Sequence, residues 1–278
     1  MAYEAFRAFE HAGWEQLADS YYEVSHGSTA KAAELLLAAV GCAGEAASGM
    51  SLLDIACGPG YSAGLAAERG AAATGLDFAE AMVAKAASLY PAARFRAGDA
   101  EALPFEDAMF DGVVCAFGLL HFSDPDKAIG EAFRVLKPGG RYAFTVWRPA
   151  EEVPTFKIFR GAIAEHGNLE APLPEGPPMF RFGEEAEARK GLEAAGFEHV
   201  SVERIQIRRE SSPQALLENL AKATVRTRAL FEAQPEDAKP KIRAEILARA
   251  EALLADQGGE TLVLHMPAVL AVGAKPEA

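Results

Sequence analysis

The central part of the chain alternates short apolar runs, which predict β-strands, with longer periodic stretches that predict helices. The predicted strands cover residues 51–56, 72–77, 94–97, 110–117 and 141–147, and the helices cover 61–69, 79–89 and 126–136. Residues 137–140 predict a turn before the fifth strand. Strands that alternate with helices form right-handed crossovers. The pattern therefore predicts an α/β fold with a parallel sheet covered by helices on both faces.

The flanking regions predict mostly helix. Residues 3–48 carry mixed apolar spacings, and 30–40 is their clearest helix; helices are also predicted at 155–166, 184–195 and within 213–256. Two further strands are predicted at 199–208 and 261–274. We predict a single domain, 1–278, with a ligand-binding core at 50–147. An N-terminal helical cover (1–48) surrounds this core together with two helical segments that leave the sheet between strands, here called cap excursions (148–182 and 209–257).

The segment 170–182 contains four prolines and so predicts an extended stretch that lies over a cleft without joining the sheet. Together with the N-terminal helices it could order on ligand binding and exclude water. Permanent packing of both covers is the alternative, and hydrogen exchange over residues 10–30 and 170–182 would separate the two.

Composition and charge narrow the function. Half of the residues are apolar and 24% are charged, which predicts a globular chain, and the formal net charge of −13 argues against nucleic acid as a partner. No apolar run reaches the length of a bilayer span, and the first residues lack a signal-peptide pattern, so we expect a cytoplasmic location without stable membrane insertion. The three cysteines lack paired spacing, so neither a disulfide scaffold nor a metal site is expected.

Small residues follow the first predicted strand directly, in Asp54-Ile55-Ala56-Cys57-Gly58-Pro59-Gly60. Such a turn lets a backbone approach a ligand, and the helix after it offers free N–H groups and a positive dipole end. In open α/β sheets ligands bind beyond the carboxyl ends of the strands. The turn therefore predicts a nucleotide-type ligand, although a tight turn that serves only packing would look the same.

Acidic residues also follow the second and third strands. Asp77 lies 23 residues after Asp54, and Asp99 lies 22 residues after Asp77. A carboxylate at Asp77 could accept both hydroxyls of a ribose, or it could cap the next helix. Asp99, with a neighbouring backbone N–H, could bind the edge of an adenine, and Phe78 could lie against its ring.

These motifs together resemble the class I S-adenosylmethionine-dependent methyltransferases, in the small-molecule branch that includes the ubiquinone/menaquinone-biosynthesis type. The resemblance covers about residues 50–147 and rests on the loop 54–60, Asp77, the stretch 98–105, Phe110-Asp111 and the stretch 134–140. It implies a Rossmann-like, mainly parallel seven-stranded sheet with an antiparallel last strand. It also implies S-adenosyl-L-methionine as cofactor and methyl transfer to a small, partly apolar acceptor by in-line displacement. Ala56 replaces the first glycine of the family's loop.

The resemblance also implies roles for individual residues. Asp54, Ala56 and Gly58 would border the methionine moiety, Asp77 would hold the ribose, and Asp99 with the Ala100 N–H would bind adenine. The complete set expected at the cofactor is Asp54, Ala56, Cys57, Gly58, Gly60, Asp77, Phe78, Met82, Asp99, Ala100, Glu101, Phe117 and Tyr22.

His121 is the candidate catalytic base, because it lies four residues past Phe117 and histidine exchanges protons near neutral pH. Alternatively it orients the loop before Asp124. Tyr21 or Tyr22 could close over the cofactor, although both could equally be core aromatics. A base is needed only if the acceptor arrives protonated.

Two other functions stay open. A non-catalytic S-adenosylmethionine-binding protein would share the cofactor motifs but form no product. An NAD-dependent oxidoreductase would prefer a complete G-x-G-x-x-G, which Gly58-Pro59-Gly60 and the residues after it do not supply. The identity of the acceptor, the atom methylated and the oligomeric state are not determined by the sequence.

Overall fold

One seven-stranded sheet organises the protein in the computed structural model, which describes residues 3–220, 222 and 224–277, apart from the side chains of 25–28 and 220. Its strands are β1 (Ser51–Ile55), β2 (Ala72–Asp77), β3 (Arg94–Ala97), β4 (Phe110–Ala116), β5 (Leu136–Trp147), β6 (Glu198–Ser211) and β7 (Leu262–Ala274). They lie in the order β3-β2-β1-β4-β5-β7-β6. β7 runs antiparallel to both of its neighbours, and the other six strands share one direction.

Nine α-helices are seen in the described part of the chain. They are α1 (Glu4–Ala39), α2 (Tyr61–Glu68), α3 (Glu80–Leu89), α4 (Pro125–Val135), α5 (Pro154–His166), α6 (Glu185–Ala194), α7 (Pro213–Leu220), α8 (Val225–Glu232) and α9 (Lys239–Gln257). Within this part, no helix combines the length and the apolar character needed to cross a bilayer.

The predicted fold class is confirmed, including the antiparallel last strand. β2 and β3 begin and end at the predicted residues. The proposed division into an N-terminal cover, a core and two cap excursions stays a prediction. Residues 1, 2, 221, 223 and 278 of these segments lie outside the described part.

Some local predictions were wrong. The N-terminal cover is a single helix, α1, followed by a short 3-10 helix at Gly44–Ala47, where two or more helices were expected. The predicted turn at 137–140 lies within β5, although the pairing with β4 passes from Leu136 directly to Arg141. Gly139, at a φ of +75°, and Gly140 form hydrogen bonds with the backbone of Lys275 instead. β6 extends to Ser211, so the first residues of the second predicted excursion belong to the sheet.

Two large clusters of buried residues join helices to the sheet. One joins the central strands to α4 and α6 and includes Leu53, Phe144 and Phe182. The other joins β7 to α5, α8 and α9 and includes Phe159 and Ile242. The helices after β5 are therefore packed onto the sheet. The proline-rich segment also touches α1, since a Cβ added at Gly176 would meet the Phe6 ring at 2.6 Å.

Candidate active site

A cavity of about 860 Å³, part of it open to solvent, lies at the carboxyl ends of the first four strands and is covered by α1. Eleven residues predicted for the site line it: Ala56, Cys57, Gly58, Asp77, Phe78, Met82, Asp99, Ala100, Glu101, Phe117 and His121. The topology explains this meeting, because parallel strands end at one edge of the sheet and β1 and β4 flank its switch point. The structure thus brings together residues that lie far apart in the sequence.

The backbone is strained at two points of this cavity. Ala56 follows β1 with a φ of +53°, and Phe117 follows β4 with a φ of +55°. Left-handed backbone is unfavourable for residues with a Cβ and is retained mainly where the surroundings enforce it, often at functional sites. At Gly58, where φ is +51°, a Cβ would point to space in which Tyr21 is the nearest group, at 3.8 Å. The turn is therefore shaped to leave room beside its backbone.

Asp77 supports this turn from β2. Its carboxylate accepts hydrogen bonds from the N–H of Gly58 at 2.8 Å and from that of Ala79 at 3.0 Å. Burial raises the pKa of Asp77 to about 6, although both hydrogen bonds act in the opposite direction. Each oxygen keeps a further lone pair for a ligand. Asp77 thus holds the N–H of Ala79, the residue before α3, and also lines the cavity; in the described structure α3 itself receives no side-chain cap.

Asp54 lies behind the turn, in the last part of β1. One carboxylate oxygen accepts from the Ala63 N–H at 3.1 Å, while the buried Oδ1 has no hydrogen-bond partner. Burial raises the pKa of Asp54 to about 8, so the carboxyl is mostly protonated at neutral pH. Asp54 does not line the cavity itself, and its contact with a ligand stays a prediction.

The raised pKa of Asp54 predicts a pH-dependent stability. The pKa of the Asp54 carboxyl is 3.8 in the unfolded chain and about 8 in the folded protein. Between these two pH values the folded protein keeps a proton that the unfolded chain releases. The stabilisation is therefore complete below pH 3.8 and is lost as the pH rises through 8, by at most about 1.4 kcal/mol per pH unit. Denaturant unfolding between pH 6 and 9 should show the free energy falling in the wild type and a flatter profile in Asp54→Asn. Equal slopes would contradict the assignment.

The acids after β3 are held by an arginine from α1. Arg7 donates to Asp99 at 2.7 Å and to Glu101 at 3.3 Å, and Asp99 also accepts the Glu101 N–H at 2.9 Å. Glu101 is buried and accepts from the backbone N–H groups of Ser123 and Asp124. Glu101 therefore fixes the loop after β4 through its carboxylate. Asp99 remains the group at the predicted adenine edge, with Arg7 beside it.

His121 is part of a buried polar cluster with α1. Its Nδ1 lies 2.9 Å from Oε2 of Glu10, and the same oxygen accepts from Nε1 of Trp14 at 3.1 Å. Glu10 is fully buried, and its Oε1 has no hydrogen-bond partner among the described residues. In the tautomer that donates the Nδ1 hydrogen to Glu10, Nε2 of His121 is left as an acceptor. The arrangement of a carboxylate that orients a histidine is the one found in general-base sites.

Two further predicted residues lie away from the cavity wall. Gly60 begins α2, where an added Cβ would meet Ala86 and the Phe95 ring at 2.9 Å, so it serves packing. Tyr22 stacks on Tyr61, with ring centroids 5.9 Å apart, while Tyr21 faces the cavity. Their roles at the cofactor stay predictions.

The sequence analysis missed Arg7 and Glu10. A signal existed for Glu10, because Phe6, Glu10, Trp14, Leu17 and Tyr21 recur at helical spacing. A carboxylate inside such an apolar stripe is buried when the helix packs, and a buried charge needs a partner. The stripe could therefore have indicated a polar cluster under α1.

A second cavity, of about 650 Å³ and partly open, adjoins the first. The two share Tyr21, Thr29 and Phe117 in their walls. The second is otherwise formed by α1, the end of β5 and the helices and strands after it, with Trp147, Phe156 and Met266 as large apolar groups. Among the apolar residues of the first predicted cap excursion, Phe156 lines this space, while Ile158, Phe159 and Phe182 belong to the core.

Comparisons with known proteins agree with this geometry. A family model described as a methyltransferase domain matches residues 53–144. A demethylmenaquinone methyltransferase of Thermus thermophilus is 37% identical over 163 residues, which are 52% of this chain and 73% of that protein. Another, of Renibacterium salmoninarum, is 38% identical over 143 residues, but this chain covers only 57% of its length. The solved YcgJ protein of Bacillus subtilis shares the fold, with a TM-score of 0.57, 22% identity, and coverage of 89% of this chain and 99% of that one.

Proposed function

Because the chain belongs to the class I S-adenosylmethionine-dependent methyltransferases of the quinone-biosynthesis type, we propose that it transfers a methyl group to a small, partly apolar acceptor. The observation that carries this proposal is the meeting of two cavities at Phe117. One is lined by the residues that the family resemblance assigns to the cofactor, and the other by apolar groups from the cap.

The residues at the first cavity fit S-adenosylmethionine. That cofactor carries an ammonium, a cationic sulfur and ribose hydroxyls, and it supplies an electrophilic methyl group. The structure offers the Asp77 carboxylate in the wall of the cavity, and Asp99 and Glu101 beside it. Carboxylates at a partly closed site favour a ligand that brings positive charge or hydrogen-bond donors.

Individual residues then bind distinct parts of the cofactor. Asp77 accepts the ribose hydroxyls, and Asp99 with the Ala100 N–H holds the adenine edge, against Phe78. Ala56 and Gly58 leave space along the turn for the methionine portion, near Asp54. Arg7 holds Asp99 in place through its ion pair at 2.7 Å.

The remaining residues orient the acceptor. Methyl transfer needs the attacking atom in line with the methyl carbon and the sulfur, and orientation of this kind is worth about 7–11 kcal/mol in favourable cases. Phe117 lines both cavities and would therefore lie between the cofactor and the acceptor. His121, oriented by Glu10, removes a proton from an acceptor that arrives protonated.

The relatives named demethylmenaquinone methyltransferase act, by that name, on a quinone precursor, and the apolar second cavity is compatible with a ring system of this kind. This chain spans only about half to three quarters of the length of these two relatives, so their substrate is not carried over to it. We therefore propose the chemical class of the acceptor and leave the methylated atom open.

A product assay tests the proposal. The protein is incubated with S-adenosylmethionine and a panel of phenols, quinols, amines and carboxylic acids, and S-adenosylhomocysteine is quantified. We expect turnover with at least one flat, partly apolar compound. Binding of S-adenosylmethionine without product from the whole panel would favour a non-catalytic protein, and absence of binding would refute the proposal. A nicotinamide dinucleotide titration should show no binding.

A further inference from the structure

Arg209 of β6 lines the second cavity without an acidic partner. Among the described residues, no hydrogen-bond or ion-pair partner reaches its guanidinium. Other arginines differ, since Arg7 contacts Asp99 at 2.7 Å and Arg148 contacts Glu152 at 2.6 Å. The pKa of both is raised above the usual value by these carboxylates. The second cavity thus presents a positive charge that the protein leaves uncompensated.

The side chain is also partly buried. Burial lowers the pKa of Arg209, and no described carboxylate acts in the opposite direction. A partly buried cation without a counter-ion is unfavourable, and an incoming anion would reduce that penalty. Arginine binds planar anions such as carboxylates through two parallel hydrogen bonds, which makes it selective for them.

The shape of the cavity limits what accompanies the anion. Phe117 and Trp147 stack with ring centroids 3.9 Å apart and an angle of 14° between the rings, and both belong to its wall. Phe156, Leu216 and Met266 add apolar surface. A flat apolar body fits these walls better than a sugar or a flexible polar chain does.

We infer that Arg209 determines the specificity of the second cavity by binding an anionic group on a flat, apolar acceptor. The inference rests on the proposed function, since it takes the second cavity as the acceptor site. It adds that the acceptor carries a negative charge and that β6, outside the cofactor-binding core, recognises it. A purely structural alternative exists, in which the stem of Arg209 covers apolar surface and its charge has no ligand.

Calorimetric titration with two matched probes separates these alternatives. The probes are 2-naphthoate, a flat anion, and 2-naphthamide, its neutral counterpart, each titrated with and without S-adenosylhomocysteine. We expect the wild type to bind 2-naphthoate about ten- to a hundredfold more tightly than 2-naphthamide, as a charge-assisted pair implies. Arg209→Met, which keeps an apolar side chain of similar length, should lose this preference and bind 2-naphthamide as before.

The matched control is Arg208→Met on the same strand, because Arg208 is exposed and pairs with Glu210. It should bind both probes as the wild type does. A wild type that binds neither probe, or binds both equally, overturns the inference, and so does a folded Arg209→Met with an unchanged preference. If Arg209→Met fails to fold, the titrations of the wild type are repeated with added NaCl. The preference for 2-naphthoate over 2-naphthamide should then decrease, and a preference that persists at high salt overturns the inference.

The proposed function is tested separately in the same samples. Binding of S-adenosylhomocysteine to the first cavity does not involve Arg209. If S-adenosylhomocysteine does not bind, that result counts against the proposed function alone. The titration of the unliganded protein with 2-naphthoate would still decide on Arg209.

Discussion

Replacing Asp77 with alanine should weaken the binding of S-adenosylhomocysteine by about 2–4 kcal/mol, or roughly 30- to 1,000-fold, since charge-assisted hydrogen bonds contribute about 1.5–3 kcal/mol each. The variant removes the acceptor proposed for the ribose hydroxyls. It also releases the Gly58 N–H, which Asp77 holds at 2.8 Å, so the turn beside the cavity loses its support. Isothermal titration calorimetry of the folded variant measures the change.

Asp111→Ala is the matched control for this experiment. Asp111 also accepts a backbone N–H, that of Ser51 at 2.8 Å, but it lies at the beginning of β4, at the opposite edge of the sheet. Its loss should reduce stability and leave the affinity for S-adenosylhomocysteine unchanged. If Asp77→Ala folds and binds as tightly as the wild type, Asp77 has no role at the ribose.

Replacing His121 with glutamine should lower kcat by about 10²- to 10⁴-fold with an acceptor that must lose a proton, which is the range typical of general-base catalysis. The affinity for S-adenosylhomocysteine should fall far less than kcat, because His121, although it lines the first cavity, is proposed to act on the proton of the acceptor. Glu10→Gln should lower kcat less and alter the pH profile, since Glu10 orients the imidazole through the 2.9 Å contact. Steady-state kinetics across pH 5–9 provide both readouts.

His166→Gln controls for loss of a histidine as such. His166 lies in α5, with Glu165 and Glu245 at 3.9 Å, and does not line either cavity in the described structure. Its replacement should leave kcat at the wild-type level. An unchanged kcat in His121→Gln would mean that the acceptor reaches the site already deprotonated, and His121 would then serve only to hold α1 over the loop.

The cofactor half of the site could be predicted because local patterns determine it. An apolar run that meets small or acidic residues ends a strand, and parallel strands deliver their ends to one edge. Asp77 and Asp99 were therefore placed correctly at the cavity from spacing alone. β5 shows the limit of this reasoning, because Gly139 favours a turn locally, while hydrogen bonds to the distant Lys275 keep this stretch in the strand.

The acceptor half could not be predicted, since it depends on contacts between distant segments. Glu10 meets His121 across 111 residues of sequence. Arg209 resembles any charged residue on a half-exposed strand, and only the packing of α1, α5 and α7 around it creates a cavity there. The apolar stripe of α1 could indicate that Glu10 is buried but not which residue it meets, and Arg209 has no local motif that distinguishes it from a solvated surface charge.

The position of the second cavity bears on how enzymes of this kind diversify. Apart from Phe117, every residue that lines it lies outside 53–144, the stretch shared with the family model. Substitutions there can change which compound is methylated without disturbing the machinery that delivers the methyl group. A transplant of 148–277 together with α1 from one homologue to another should therefore carry substrate preference with it, while the donor requirement stays constant.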